Sequence, residues 1–79
     1  MIRFYLRERM ADKGFQEKRR ITLDEVSRET GISRNTLSRI SSTLGYNTTT
    51  DILNRLCQYF SCTLADLAVY VDDEKKQQN

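Results

Sequence analysis

TLDEVSRETGISRNTLSRI, residues 22–40, is the stretch that decides the fold of this 79-residue chain. Thr22 and Glu25 are spaced as a capping box, which predicts a helix start. Gly31 can take the positive φ that ends this helix tightly, and Ser33 can cap a second helix two residues later. The stretch therefore predicts two short helices joined by a glycine turn, which is a helix-turn-helix.

The second of these helices, residues 33–42, has one apolar and one polar side. Leu37 and Ile40 are three residues apart and form the stripe that faces the core. Arginine can form bidentate hydrogen bonds to guanine, and asparagine can form them to adenine. We therefore predict that this helix enters the major groove of DNA. The predicted base contacts are Arg34, Asn35, Ser38 and Arg39.

The same stretch resembles the helix-turn-helix of the phage repressor and Cro (XRE-type) family. The resemblance rests on the polar cap at Thr22, on Val26 followed by the small residue Ser27, and on Gly31-Ile32-Ser33 before a polar helix that ends in Ile40. It extends to residues 2–14, 49–60 and 63–70, which are similar to the first, fourth and last helices of the family. It implies an all-α, five-helix, repressor-like domain over residues 1–71.

Three features depart from the family pattern. Leu23 stands where the family often has a glutamine that contacts phosphate. Ser41, Ser42 and Thr43 replace a Glu-x-Gly sequence, and with it the glutamate that usually pairs with an arginine of helix one, a role that the resemblance assigns to Arg7. The connection over residues 15–21 is longer than usual. The first two departures remove contacts that the family otherwise implies.

The ends of the chain complete the predicted helical domain. Ile2, Leu6 and Met10 share one side of a first helix over about residues 2–13, which Gly14 would end. Apolar residues recur at helical spacing up to Phe60, which predicts a fourth helix.

Polar residues mark the starts of the last two helices. Thr48 with Asp51, or Thr49 alone, can cap helix four, and Thr63 with Asp66 can cap a last helix over residues 63–70. Residues 72–79, DDEKKQQN, contain no apolar side chain and are predicted to be a disordered polar tail.

Positive charge is concentrated in the part of the chain that would approach DNA. Residues 1–60 hold 11 basic and 7 acidic side chains, a balance of +4, whereas residues 61–79 hold 2 and 4, a balance of −2. Because basic and hydroxyl side chains bind phosphates without regard to sequence, we predict a set of phosphate contacts. This set is Lys18, Arg19, Arg20, Thr22, Ser33, Thr36 and Ser42. The alternative for the run at 18–20 is a solvated loop.

Composition argues against most other functions. The chain has no histidine, and Cys57 and Cys62 lack CxxC spacing, so we expect no metal, no cofactor and no enzymatic activity. Both cysteines are expected to be reduced, largely buried thiols. The longest apolar run, at residues 67–71, is far too short to span a membrane, and we predict a cytoplasmic protein.

Two functions from different classes follow. The favoured one is a sequence-specific DNA-binding regulator of transcription, with repression the expected mode. Because one short helix contacts few base pairs, we predict a homodimer on double-stranded DNA, with Val69 and Tyr70 of helix five at the contact. The alternative is a helical module whose main partner is another protein, such as an antitoxin or adaptor domain.

Overall fold

Within residues 1–72, which the computed structural model describes, the chain forms five helices and two short strands. In chain order they are β1 (Ile2–Phe4), α1 (Leu6–Glu17), α2 (Leu23–Thr30), α3 (Arg34–Ser42), α4 (Thr50–Phe60), α5 (Leu64–Leu67) and β2 (Ala68–Tyr70). The prediction of a mainly helical, five-helix fold is confirmed. Residues 73–79, most of the predicted tail, lie outside the described residues.

Each helix contributes at least one apolar side chain to a single core. The fully buried side chains are Leu6 from α1, Val26 from α2, Leu37 from α3, Leu56 from α4 and Leu67 from α5. Three further residues of the α1–α2 loop, the α2–α3 turn and α3 complete the buried cluster, namely Ile21, Ile32 and Ile40. Among residues 1–72 the buried core has eight side chains, which is small, so each of them carries a large share of the stability.

Polar caps start four of the helices, largely as their sequences predict. Thr49 alone caps α4, accepting a hydrogen bond from the amide of Ile52 at 3.2 Å. Thr63 and Asp66 form a complete capping box at α5, and the backbone N–H of Thr63 lowers the pKa of the Asp66 carboxyl. At α2 only half of the predicted box exists, because Thr22 accepts from the amide of Glu25 while the Glu25 carboxylate binds elsewhere.

The prediction that helix one begins at residue 2 and that helix five runs to residue 70 is wrong. Residues 2–4 and 68–70 form an antiparallel pair, with Ile2 opposite Tyr70 and Phe4 opposite Ala68. The amino group of Met1 extends the pairing by donating to the carbonyl of Val71 at 2.9 Å. Pairing between the two ends of the domain overrides the helical spacing of each segment, as tertiary context does with weak local preferences.

The predicted end of helix one at Gly14 is also wrong, and the glycine has another role. Helix α1 continues to Glu17, and the next residue, Lys18, caps it in the left-handed conformation with φ of 58°. A Cβ atom at Gly14 would lie 2.7 Å from the carbonyl oxygen of Arg19. Glycine is therefore needed here for the close return of the loop over the helix.

Candidate nucleic-acid interface

The turn between α2 and α3 is fixed by backbone conformation and side-chain hydrogen bonds. Gly31 closes α2 with φ of 76°, and its amide donates to the carbonyl of Ser27 at 2.9 Å. The Ser27 hydroxyl donates to the carbonyl of Ile32 at 2.6 Å, and the Ile32 amide donates to the Thr30 hydroxyl at 3.2 Å. Ser27 is therefore important for its hydroxyl as well as for its small size, because the hydroxyl holds the turn that sets the angle of α3.

Helix α3 has the two sides that its sequence predicts. Leu37 and Ile40 are buried in the core, whereas the four predicted base-contacting residues are exposed. These are Arg34, Asn35, Ser38 and Arg39. The helix starts at the Ser33 cap, whose hydroxyl oxygen accepts from the amide of Thr36 at 3.1 Å. The arrangement presents hydrogen-bonding side chains to the solvent from a rigid base.

The two arginines of α3 have different surroundings. Arg34 donates from Nη1 to Oδ1 of Asp24 at 2.7 Å, and this ion pair joins the first turns of α2 and α3. Arg39 has no ion pair or hydrogen bond to its side chain within residues 1–72. The sequence alone did not identify Asp24 as the partner of Arg34. Only the crossing of the two helices brings a residue ten positions away beside Arg34.

The four hydroxyl residues predicted to contact phosphate differ in how their protons are used. The hydroxyls of Thr22 and Thr36 act as acceptors, from the Glu25 amide and the Ser33 hydroxyl respectively, so each keeps a proton to donate. Ser33 donates to Thr36 at 2.9 Å, and Ser42 donates to the carbonyl of Ser38 at 2.8 Å. These two serines would have to exchange an existing bond for one to phosphate.

The three basic residues of the α1–α2 loop also differ in whether they already have a partner. Arg19 forms a bidentate pair with Glu25, with both N–O distances at 2.6 Å, and also binds Glu17. Arg19 is the main cause of the lowered pKa of Glu25, whereas the pKa of Glu17 is lowered chiefly by Lys13 and then by Arg19. Lys18 and Arg20 are exposed and form no ion pair within the described part of the chain. Of the three basic residues in this run, these two present a free charge.

A concave surface at the C-terminal end of α3 contains the residues of one departure from the family pattern. Arg3 and Arg7 line it together with Ser41 and Ser42. Arg7 thus lies near the serines that replace the expected glutamate, and it has no ion pair within residues 1–72. Within the described residues, Arg7 therefore lacks the carboxylate partner that the family pattern would supply at the end of α3.

Other kinds of site find little support among the described residues. No cluster of three or more His, Cys, Asp or Glu side chains suited to a metal ion occurs in this part of the chain. Cys57 and Cys62 are half-buried free thiols, and burial is the main cause of the raised pKa of Cys62. None of the helices within residues 1–72 is long and apolar enough to cross a membrane.

Comparison with known proteins identifies the family of the domain. A family model described as a Cro/C1-type HTH DNA-binding domain matches residues 5–73, which include every helix of the structure. No curated protein and no solved structure matches the chain significantly. The family match confirms the resemblance inferred from residues 22–40 and indicates a DNA-binding regulator. The chain belongs to the Cro/C1-type helix-turn-helix DNA-binding domain family.

Proposed function

We propose that this chain is a sequence-specific transcriptional repressor that places α3 in the major groove of its operator. The observation that carries the proposal is the exposed polar side of α3, which is formed by Arg34, Asn35, Ser38 and Arg39. Buried Leu37 and Ile40 hold this side in place, and the domain belongs to a DNA-binding family. Repression follows from simple occupancy, because a small domain bound at a promoter can exclude other proteins from the same DNA.

Base recognition is assigned to four side chains. Arg34 and Arg39 would donate to guanine O6 and N7, and Asn35 would pair with adenine N6 and N7. Ser38 can donate to or accept from any base edge within its short reach. Because Arg39 is exposed and has no ion pair within residues 1–72, it is available without breaking an existing bond.

Phosphate contacts would fix the register of α3 in the groove. The first turns of α2 and α3 offer free backbone N–H groups beside the Thr22 and Ser33 caps, and helix starts favour anions. The free hydroxyl protons of Thr22 and Thr36, with those of Ser33 and Ser42 after exchange, add donors. From the loop, Lys18 and Arg20 supply charge, while Arg19 is predicted to contribute least because two carboxylates hold it.

We further propose that the protein binds DNA as a homodimer. A nine-residue helix contacts only a few base pairs, and helix-turn-helix dimers place two such helices about 34 Å apart. The proposed surface for the second copy lies around β2 and α5, where Leu64 is 55% exposed and Tyr70 is 72% exposed. With Ile2 and half-buried Val69, these residues line one apolar groove, which a second copy of the same face can cover.

Selection from random duplex oligonucleotides tests the proposal. The wild-type protein should enrich a consensus with two inverted half-sites, and the variant with Arg34→Ala, Asn35→Ala and Arg39→Ala should not. The circular dichroism and thermal melt of the two proteins should agree, because the three side chains are exposed. A consensus that persists in the triple variant would disprove the assignment to α3. Absence of any consensus for the wild type would instead favour the protein-interaction alternative.

A further inference from the structure

The ion pair between Asp24 and Arg34 leaves a specific part of the arginine free. Only Nη1 of the Arg34 guanidinium binds Asp24, at 2.7 Å. The Nε and Nη2 hydrogens, which point to the other side of the planar group, have no partner within residues 1–72. Those two donors form one complete fork, which is the geometry that a guanine O6/N7 pair accepts.

The Asp24–Arg34 pair contributes too little to the free energy of folding for stability to be its main role. The Asp24 and Arg34 side chains are 65% and 63% exposed, and exposed pairs of this kind add little to folding. A carboxylate near the DNA surface would also repel phosphates, which weakens binding to every sequence alike. The presence of Asp24 at this point thus has a cost for general affinity, which a gain in selectivity can offset.

We propose that Asp24 is a positioning residue that makes Arg34 selective for one base. An unrestrained arginine at the edge of the groove can turn to any nearby phosphate, and such contacts carry no sequence information. Anchoring Nη1 to Asp24 restricts the rotation of the side chain and directs the Nε/Nη2 fork away from α2. The hydrogen-bonded turn fixes the angle between α2 and α3, and through that angle it holds Asp24 close to Arg34.

This inference rests on the proposed function, since it requires that Arg34 contacts a base. The experiment measures binding of purified variants of the 79-residue chain to the selected consensus duplex and to a scrambled duplex of the same composition. Asp24→Ala removes both the charge and the hydrogen-bond acceptor, whereas Asp24→Asn removes the charge and keeps an acceptor for Arg34. Comparison of the two variants separates positioning from charge.

Both variants should bind the scrambled duplex more tightly than the wild type does, because each removes one negative charge. Only Asp24→Ala should reduce the ratio of consensus to scrambled affinity, by about fivefold, which is the lower end of what one bidentate base contact discriminates. In an Arg34→Ala background, Asp24→Ala should leave that ratio unchanged. Asp24→Ser, which keeps a residue favoured at helix starts but shortens the side chain, should behave as Asp24→Ala and replaces it if the alanine variant melts early.

Three outcomes would overturn the inference. The first is a ratio that Asp24→Ala and Asp24→Ser leave at the wild-type value. The second is an equal loss of this ratio in Asp24→Asn, which would show that the charge of Asp24, and not its position as an acceptor, causes the effect. The third is the same loss with and without Arg34, which would show that Asp24 acts by another route. In each case a wild type that still prefers its consensus would leave the proposed function intact, whereas a wild type without preference would end both proposals.

Discussion

Helix α3 and the loop between α1 and α2 both carry arginines at the surface, and in each region a carboxylate binds one of them, Arg34 in α3 and Arg19 in the loop. The contrast is sharpest between Arg39 and Arg19. Arg39 of α3 is exposed and has no ion pair within the described residues, whereas Arg19 of the loop is bound by Glu17 and Glu25. Arg19 thereby connects the end of α1 to the first turn of α2. The difference teaches that exposure and charge alone do not identify a DNA-contacting residue, because a neighbouring carboxylate can already occupy the side chain.

The two regions also differ in how the segment that carries the charged side chains packs on the core. Helix α3 rests on Leu37 and Ile40, both buried, so its outer side chains are held on a packed element. The loop begins at the left-handed residue Lys18, passes close over Gly14 and buries Ile21, while its basic side chains lie at the surface. We therefore expect substitutions in α3 to separate cleanly into those that affect folding and those that affect binding.

The largest expected effect concerns the buried side of α3. Leu37→Ala should reduce the free energy of unfolding by about 2–5 kcal/mol, because it removes a fully buried side chain and leaves a cavity. Chemical denaturation measures the change. The neighbouring Ser38→Ala serves as control and should stay within about 0.5 kcal/mol of the wild type, since Ser38 is exposed. Equal stabilities of the two variants would contradict the division of α3 into an inner and an outer side.

A smaller effect, on binding instead of folding, is expected at Arg39. Arg39→Ala should leave the thermal melt nearly unchanged and weaken binding to the preferred duplex by about 1–3 kcal/mol, with relaxed preference at one base pair. Titration of labelled duplexes that differ at single positions measures both quantities. Arg39→Lys is the matched control, because it keeps the charge but loses the planar fork. If Arg39→Ala weakened binding to all the duplexes equally and Arg39→Lys restored that affinity, the contact of Arg39 would be with phosphate.

The sequence was sufficient to predict the α2–α3 unit because its signals are local. The Ser33 cap, Gly31 and the Leu37/Ile40 stripe each act within a few residues, and the structure and the family match confirm the motif that they predict. The exposed positions of the base-contacting set follow from the same helical periodicity. Their contacts with DNA stay predictions, as does the homodimer.

Features that depend on distant residues were not predictable in this way. The strands at 2–4 and 68–70 exist only because the two ends of the domain meet, so helical spacing in each segment was misleading. Arg34 and Arg19 each have a partner at the start of α2, ten and six residues away, and these pairs depend on the angles between helices. A sequence shows the charges of such residues, but it does not show which of them neutralise each other.

The smallest expected effect concerns the loop, and it tests the comparison directly. Replacing Lys18 and Arg20 by alanine should flatten the dependence of log affinity on log salt by about 0.9 for each phosphate that is no longer neutralised. Arg19→Ala should change that slope much less, because Arg19 already neutralises Glu17 and Glu25. Fluorescence anisotropy over a series of salt concentrations measures the slopes. If Arg19→Ala flattened the slope as much as Lys18→Ala and Arg20→Ala do, Arg19 would also have to contact phosphate.

The same Arg19 variant should reveal its structural role through pH. Arg19 holds the pKa of Glu25 below its usual value, so the pair contributes stability above the ordinary pKa of a glutamate, about 4.3, and loses it as the pH falls through the lower pKa of the folded state. At about pH 7, Arg19→Ala should therefore melt at a lower temperature than the wild type, and the difference should shrink at about pH 3. Glu25→Gln should show the same convergence because it removes the other partner. A difference that stays constant between neutral and acidic pH would mean that Arg19 stabilises the loop through packing and not through its carboxylate partners.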